Sequence, residues 1–185
     1  CPHSKTRCPP AIRECKILLD RTYGVTGASQ DLSDDTDDDG VLVPPTAVPV
    51  VVPRDLFRLT HQRTAVLRAH VRHEGVVYSR SSTHVGNLLI MFYPQGYLSA
   101  SPIPGSIKYI FGDNGLLTLA VQRQLPLPSG KQHDPFASYP HFPAKLYSSV
   151  VSDDLETVRL SWVVSHFSRL AVTDDRVVVL SLCRV

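Results

Sequence analysis

The stretch "VRLSWVVSHFSRL", residues 158–170, decides how this chain is read. It holds Trp162, the only tryptophan among 185 residues. Trp162, Val163, Phe167 and Leu170 recur at the spacing of a buried helix face. That spacing predicts a helix over "SWVVSHFSRL" and makes Trp162 and Phe167 core anchors rather than binding residues. Ser165 and His166 are neighbours there, and adjacent helical residues point about 100° apart, so they do not form a nucleophile–base pair. "LETVRL" before the helix and "RVVVLSLCRV" after it read as strands.

Outward from this point the pattern alternates. "PAKLYSSVVSDD" is predicted as a short helix beginning near Pro143, with Lys145 in its first turn. Residues 94–142 are rich in Pro, Gly and Ser and read as an insertion. They hold one hairpin, "SIKYIF" and "LLTLAVQ" around "GDNG". "VVYS" (76–79) and "NLLIMFY" (87–93) are strands, the second apolar enough to be buried on both faces. "PRDLFRLTHQRTAVLRAHVRHEG" (53–75) is the strongest helix candidate. Pro53 and Asp55 suit its start, Gly75 its C-terminal cap, and Leu56, Leu59, Val66, Leu67 and Val71 its apolar face. "CKILLDRTYGVTG" (15–27) reads as a first strand turning at Gly27, with "RDLFRLT" (54–60) as its rival. Residues 1–14 form an N-terminal extension, and 28–52 an acidic and proline-rich insertion. Strands alternating with helices predict one α/β domain over 1–185 with parallel pairing.

Composition excludes several classes. Apolar residues make up 43% and charged residues 19%, as in a folded domain. The net charge of +2 does not argue for nucleic acid. Arginines nevertheless concentrate in 54–80, and Arg58, Arg68 and Arg72 would form a basic surface on the long helix, suited to DNA phosphate or an acidic tail. No apolar run reaches the length of a membrane span, so no membrane partner is expected. The N-terminus has no apolar core of a signal peptide, and a reducing compartment is the default. Cys1, Cys8, Cys15 and Cys183, even with His3, lack the close pairs of a zinc site. "DTDDDG" begins like a calcium loop at Asp35, Asp37, Asp39 and Gly40, but Thr46 stands where a bidentate glutamate is needed. Ser33 and Thr36 in this tract would suit an acidophilic kinase. Phosphate-loop, H-E-x-x-H and G-x-S-x-G motifs are missing, so neither an enzyme nor a cofactor is expected.

At four places the chain resembles the BRCT domain family. "LLDRTYGVTG" resembles its first strand, "LRAHVRHEGVVYS" the end of its first helix and the turn into strand two, and "VGNLLIMF" its third strand. "AKLYSSVVSDDLETVRLSWVVSHF" resembles its second helix, fourth strand and tryptophan-bearing third helix. Together these cover a little under half the chain. Glu74 stands where the family usually has a glycine. Asn87-Leu88 replaces Thr-His, and Arg159 stands where a serine often precedes the tryptophan helix.

The resemblance implies a central four-stranded, mostly parallel sheet flanked by about three helices, with long insertions after strands one and three. It implies a non-catalytic module that binds a phosphorylated or acidic protein partner. Thr26, Gly27 and Lys145 match the family's phosphate-binding positions, and Thr60 is the rival hydroxyl. The implied setting is nuclear, in chromosome segregation or DNA-damage signalling, as for the C-terminal BRCT domain of a kinetoplastid kinetochore protein. The competing expectations are a structural or DNA-binding α/β module without a phosphate pocket, and a jelly-roll-like viral coat subunit. The two expected helices at 53–74 and 161–170 count against the last, and little helix would sink the BRCT reading.

Overall fold

A computed structural model describes residues 48–80, 85–113, 115–128, 134–139 and 141–182. The expectations for the strand at 15–27, Thr26, Gly27, the acidic tract, the calcium loop and all four cysteines lie outside these residues. Strands β1 (Val50–Val51), β2 (Thr64–Ala65) and β3 (Leu67–Arg68) surround helix α1 (Arg54–Thr60). Next come β4 (His70–His73), β5 (Val76–Ser79), β6 (Leu89–Phe92), β7 (Ile103–Asp113) and β8 (Leu116–Pro126). The chain finishes with β9 (Ala144–Arg159), β10 (Val163–Thr173) and β11 (Arg176–Leu182).

The main sheet runs β7–β6–β10–β11–β9–β8 and returns to β7 through a β7–β8 pairing, so six strands close into a barrel. Every pairing is antiparallel. This overturns the α/β, BRCT-like architecture and its parallel sheet.

The deciding stretch is strand, not helix. Only Leu160–Trp162 makes a 3-10 turn, which joins β9 directly to β10. Beyond it Ser165 and Phe167 are buried while Val164 and Ser168 are exposed, a period of two. Val163 and Val164 are β-branched and favour that pleat. The segment expected as a short helix from Pro143 is likewise strand: β9 begins at Ala144.

The long helix stops after two turns. Pro53 and Asp55 start α1 as expected, but His61 turns left-handed (φ 56°) and donates its N–H to the Phe57 carbonyl at 2.8 Å. The remainder folds as strands. Glu74 and Gly75 both take positive φ, 50° and 74°, and form the two-residue turn of the β4–β5 hairpin. Twin positive φ values are what such a hairpin turn demands, and Gly meets that demand without steric cost. Gly75 therefore serves a hairpin and not a helix end.

The hairpin predicted in 106–122 forms, and it extends into two eleven-residue walls of the barrel. One core gathers Ile90, Phe92, Ile107, Ile110, Leu119, Val121 and Val158. The opposite face of β7–β8 carries Phe111 and Ala120, which α1 covers through Leu56. Each such apolar side chain contributes about 1.5–3 kcal/mol on burial. A third cluster, Tyr147, Phe167, Val177 and Val179, shares the face of Leu89 and Met91. So β6 does pack on both faces, but as an antiparallel strand. Phe167 is a core residue, as expected, on a sheet instead of a helix.

Candidate functional site

The residues predicted from sequence are scattered. Lys145 lies in β9 opposite Val179, its ammonium 5.7 Å from the Tyr147 ring centre. No helix begins there, so the helix-dipole argument for an anion at this lysine no longer applies. Arg58 is exposed in the last turn of α1, Arg68 pairs with Ile110 from β3, and Arg72 is exposed on β4 opposite Val77. These arginines sit on three elements and not along one helix. Ser165 and His166 still face apart, now across a strand. The Ser165 hydroxyl meets the Ser181 hydroxyl at 3.0 Å, while His166 stacks on Tyr78 with ring centres 5.1 Å apart.

Two charged assemblies hold the barrel together. The β7–β8 ladder shifts register at Lys108, which lets the successive residues Lys108 and Tyr109 both reach Asp55 on α1. The Lys108 ammonium is 2.8 Å from Asp55 Oδ2, and the Tyr109 hydroxyl donates to Oδ1 and Oδ2 at 3.1 and 3.2 Å. Burial alone would raise the Asp55 pKa. Hydrogen bonds from Lys108, Tyr109 and the Leu56 N–H outweigh it, and the carboxyl sits below its ordinary value. Burial and the same carboxylate push the Tyr109 hydroxyl up. On β8 and β9, Arg123 and Glu156 form a two-pronged ion pair, with Nη2 donating to Oε2 at 2.7 Å.

Beside that pair, β9 bulges. Its register jumps from Leu155 to Val151 as β8 passes from Gln122 to Gln124. The Gln122 amide donates to the Ser152 carbonyl at 3.1 Å, and the Gln124 amide to the Ser148 and Val150 carbonyls. Side-chain amides thus replace ladder bonds that the bulge removes. Asp153 and Asp154 stand exposed on it. No group of three metal-binding side chains occurs among the described residues.

Three surfaces carry exposed apolar groups. The first is the free side of β10. Its rungs with β6 end at His166, because β6 has only four residues. From Phe167 to Thr173 the strand pairs, among the described residues, with β11 on one side only. Ser168 to Thr173 are all exposed, Leu170 at 66% and Val172 at 56%. A register shift falls between Ala171 and Thr173, near the tip.

At the turn between β9 and β10, half-buried Trp162 is covered on one side by the Arg159 guanidinium, 5.5 Å from the ring. The loop after β6 wraps the indole, with Tyr93 N–H donating to the Trp162 carbonyl at 2.9 Å. Gly96 (φ 77°) lies so close that a Cβ there would be 2.5 Å from Cε2. Tyr97 and Leu98 follow, 62% and 71% exposed. The third surface, ahead of β9, is an open hollow of about 470 Å³ lined by Ser138, Tyr139, His141 and Phe142.

Sequence reasoning saw Arg159 only as a departure from a family pattern, and it placed Tyr97 and Leu98 in an insertion. Trp162, expected as a core anchor, is half-buried and packs against the main core. The available signal was the run Arg159–Trp162 itself, a cation three residues before the sole indole. No protein-family model matches the chain, no curated protein matches it, and no solved structure matches its fold.

Proposed function

We propose that the barrel is a non-catalytic protein-interaction module that takes an extended segment of a partner along the free side of β10. The observation carrying this reading is the exposed run Ser168–Thr173, which among the described residues is paired on one side only. A strand edge of this kind presents alternate N–H and C=O groups that water alone satisfies, and an added strand satisfies them with its own backbone. Folded proteins usually blunt such edges with lysine, proline or an inward charge. Here the one charged residue of the run, Arg169, is turned away to donate to the Ser149 carbonyl at 2.8 Å. Leu170 and Val172 supply apolar contacts for alternate side chains of the added strand. The nuclear, chromosome-segregation setting came from the family resemblance alone, and the barrel lends it no support.

A displayed library of extended peptides tests the reading against the native chain and the double variant Leu170→Lys, Val172→Lys. Both sites are exposed, so stability should stay within about 0.5 kcal/mol. Enriched peptides should be rich in β-branched residues, bind the variant at least about tenfold more weakly, and slow amide exchange in 167–173. Enriched peptides that bind the variant equally well would refute strand addition at β10.

A further inference from the structure

We infer a second docking site, independent of β10, in which Arg159 on Trp162 receives an acidic side chain of a partner peptide while Tyr97 and Leu98 hold a neighbouring apolar side chain. The Arg159 side chain is exposed, and no carboxylate among the described residues pairs with it. The contrast with Arg123 is instructive, since that guanidinium is already saturated by Glu156. The Arg159 guanidinium lies over the indole, 5.5 Å from the ring, a cation–π contact that restrains the side chain. A restrained guanidinium still has N–H groups to offer, so an incoming carboxylate can be met by two of them at reduced entropic cost.

The seat itself is fixed. Trp162 is gripped between Arg159 and the backbone of Gly96, and the Tyr93 N–H holds its carbonyl. The adjacent Ala100 N–H donates to the Tyr97 carbonyl at 3.0 Å, closing the turn that displays Tyr97 and Leu98. An exposed Tyr and Leu beside a Trp–Arg stack have the composition of a binding hot spot, where rigid aromatics and arginine dominate.

Charge selects the occupant. A guanidinium that no carboxylate among the described residues pairs, over an indole met by Gly96 just before exposed Tyr97 and Leu98, suits one anionic group next to one apolar one, as on an acidic peptide. Nucleic acid needs several phosphate contacts and open aromatic faces for stacking. Here one side of the indole lies under Arg159, and Gly96 closes on its edge.

Trp162 is the chain's only tryptophan, so its emission reports on this site directly. The full chain is titrated with a peptide holding phenylalanine between aspartates, its phosphoserine version, its lysine version and a short oligothymidylate. The aspartate peptide should shift or quench the emission saturably, with the phosphoserine peptide equal or tighter and the lysine peptide silent. Arg159→Lys keeps the charge but loses the fork and should weaken binding about tenfold, and Arg159→Glu should abolish it. Leu98→Asp, at a 71% exposed position, should weaken it without unfolding. The Leu170→Lys, Val172→Lys variant should bind these peptides normally, which separates this site from the β10 reading. A silent emission with both acidic peptides, an unchanged affinity in Arg159→Glu, or a preference for the oligonucleotide would each overturn the inference.

Discussion

Replacing Gly96 by alanine tests the seat of Trp162 most directly. Two costs add. Gly96 has φ 77°, and an L-residue in the left-handed region costs about 1–2 kcal/mol. The new Cβ would also meet Trp162 Cε2 at 2.5 Å and Nε1 at 2.6 Å, inside any normal contact. Either the indole or the loop must move, and overpacking of this kind costs about 1–3 kcal/mol. The expected loss is therefore about 2–5 kcal/mol. Gly75→Ala provides the control, because Gly75 has φ 74° but nothing lies within 4 Å of its Cβ position. Alanine also restricts the unfolded chain by a similar amount at both sites, so that effect cancels. The difference between the variants isolates the clash, at about 1–3 kcal/mol. Urea unfolding followed by far-ultraviolet circular dichroism measures it without relying on the perturbed tryptophan. Equal losses for Gly96→Ala and Gly75→Ala would show that the loop does not grip the indole.

Other perturbations give equally definite outcomes. Phe92→Ala, at a wholly buried position of β6, should cost about 3–5 kcal/mol in the same unfolding assay. Asp55→Asn should cost about 1–2 kcal/mol at neutral pH by removing the charged acceptor of Lys108 and Tyr109. Because the folded-state pKa of Asp55 is depressed, its contribution is present above the ordinary aspartate value and lost as pH falls through the lower folded value. The stability gap between native chain and Asp55→Asn should therefore close below about pH 4. A gap that persists there would place the Asp55 contribution in packing, not charge.

Much of the strand content was legible in the sequence, yet the architecture was not. "VVYS", the apolar part of "NLLIMFY", the 106–122 hairpin and the final "RVVVLSL" all read correctly, because short β-branched runs bounded by turns have few other solutions. The misreadings share one cause. Trp162, Val163, Phe167 and Leu170 fit a helical face, but Ser165 and Phe167 fit a period of two equally well, and spacing over so short a window cannot separate them. In 53–75 the helix signals at the start were sound, and the stop at His61 had no glycine or proline to announce it. The β-branched Val66 and Val71 fit a helix face by spacing, while their own preference is for strands. "KLYSSVVS" holds the same bias, which the proline at 143, suited to a first helical turn, outweighed in the helix reading. The docking surfaces were illegible for another reason. They arise where β6 stops short and where Gly96 meets Trp162, and both depend on pairings between distant parts of the chain.

The β6–β10 pairing has a consequence for how the molecule forms. Ile90 and His166 are partners across that seam, yet they stand far apart in the chain. The β6–β7–β8 meander needs only local turns and can assemble early, but the ring shuts only after β9, β10 and β11 have all been made. Closing so long a loop is entropically slow, and sheets that depend on such contacts fold late. During synthesis the nascent sheet therefore keeps unpaired rims, and the hazard of wrong pairing lasts until β11 leaves the ribosome and joins β10 to β9.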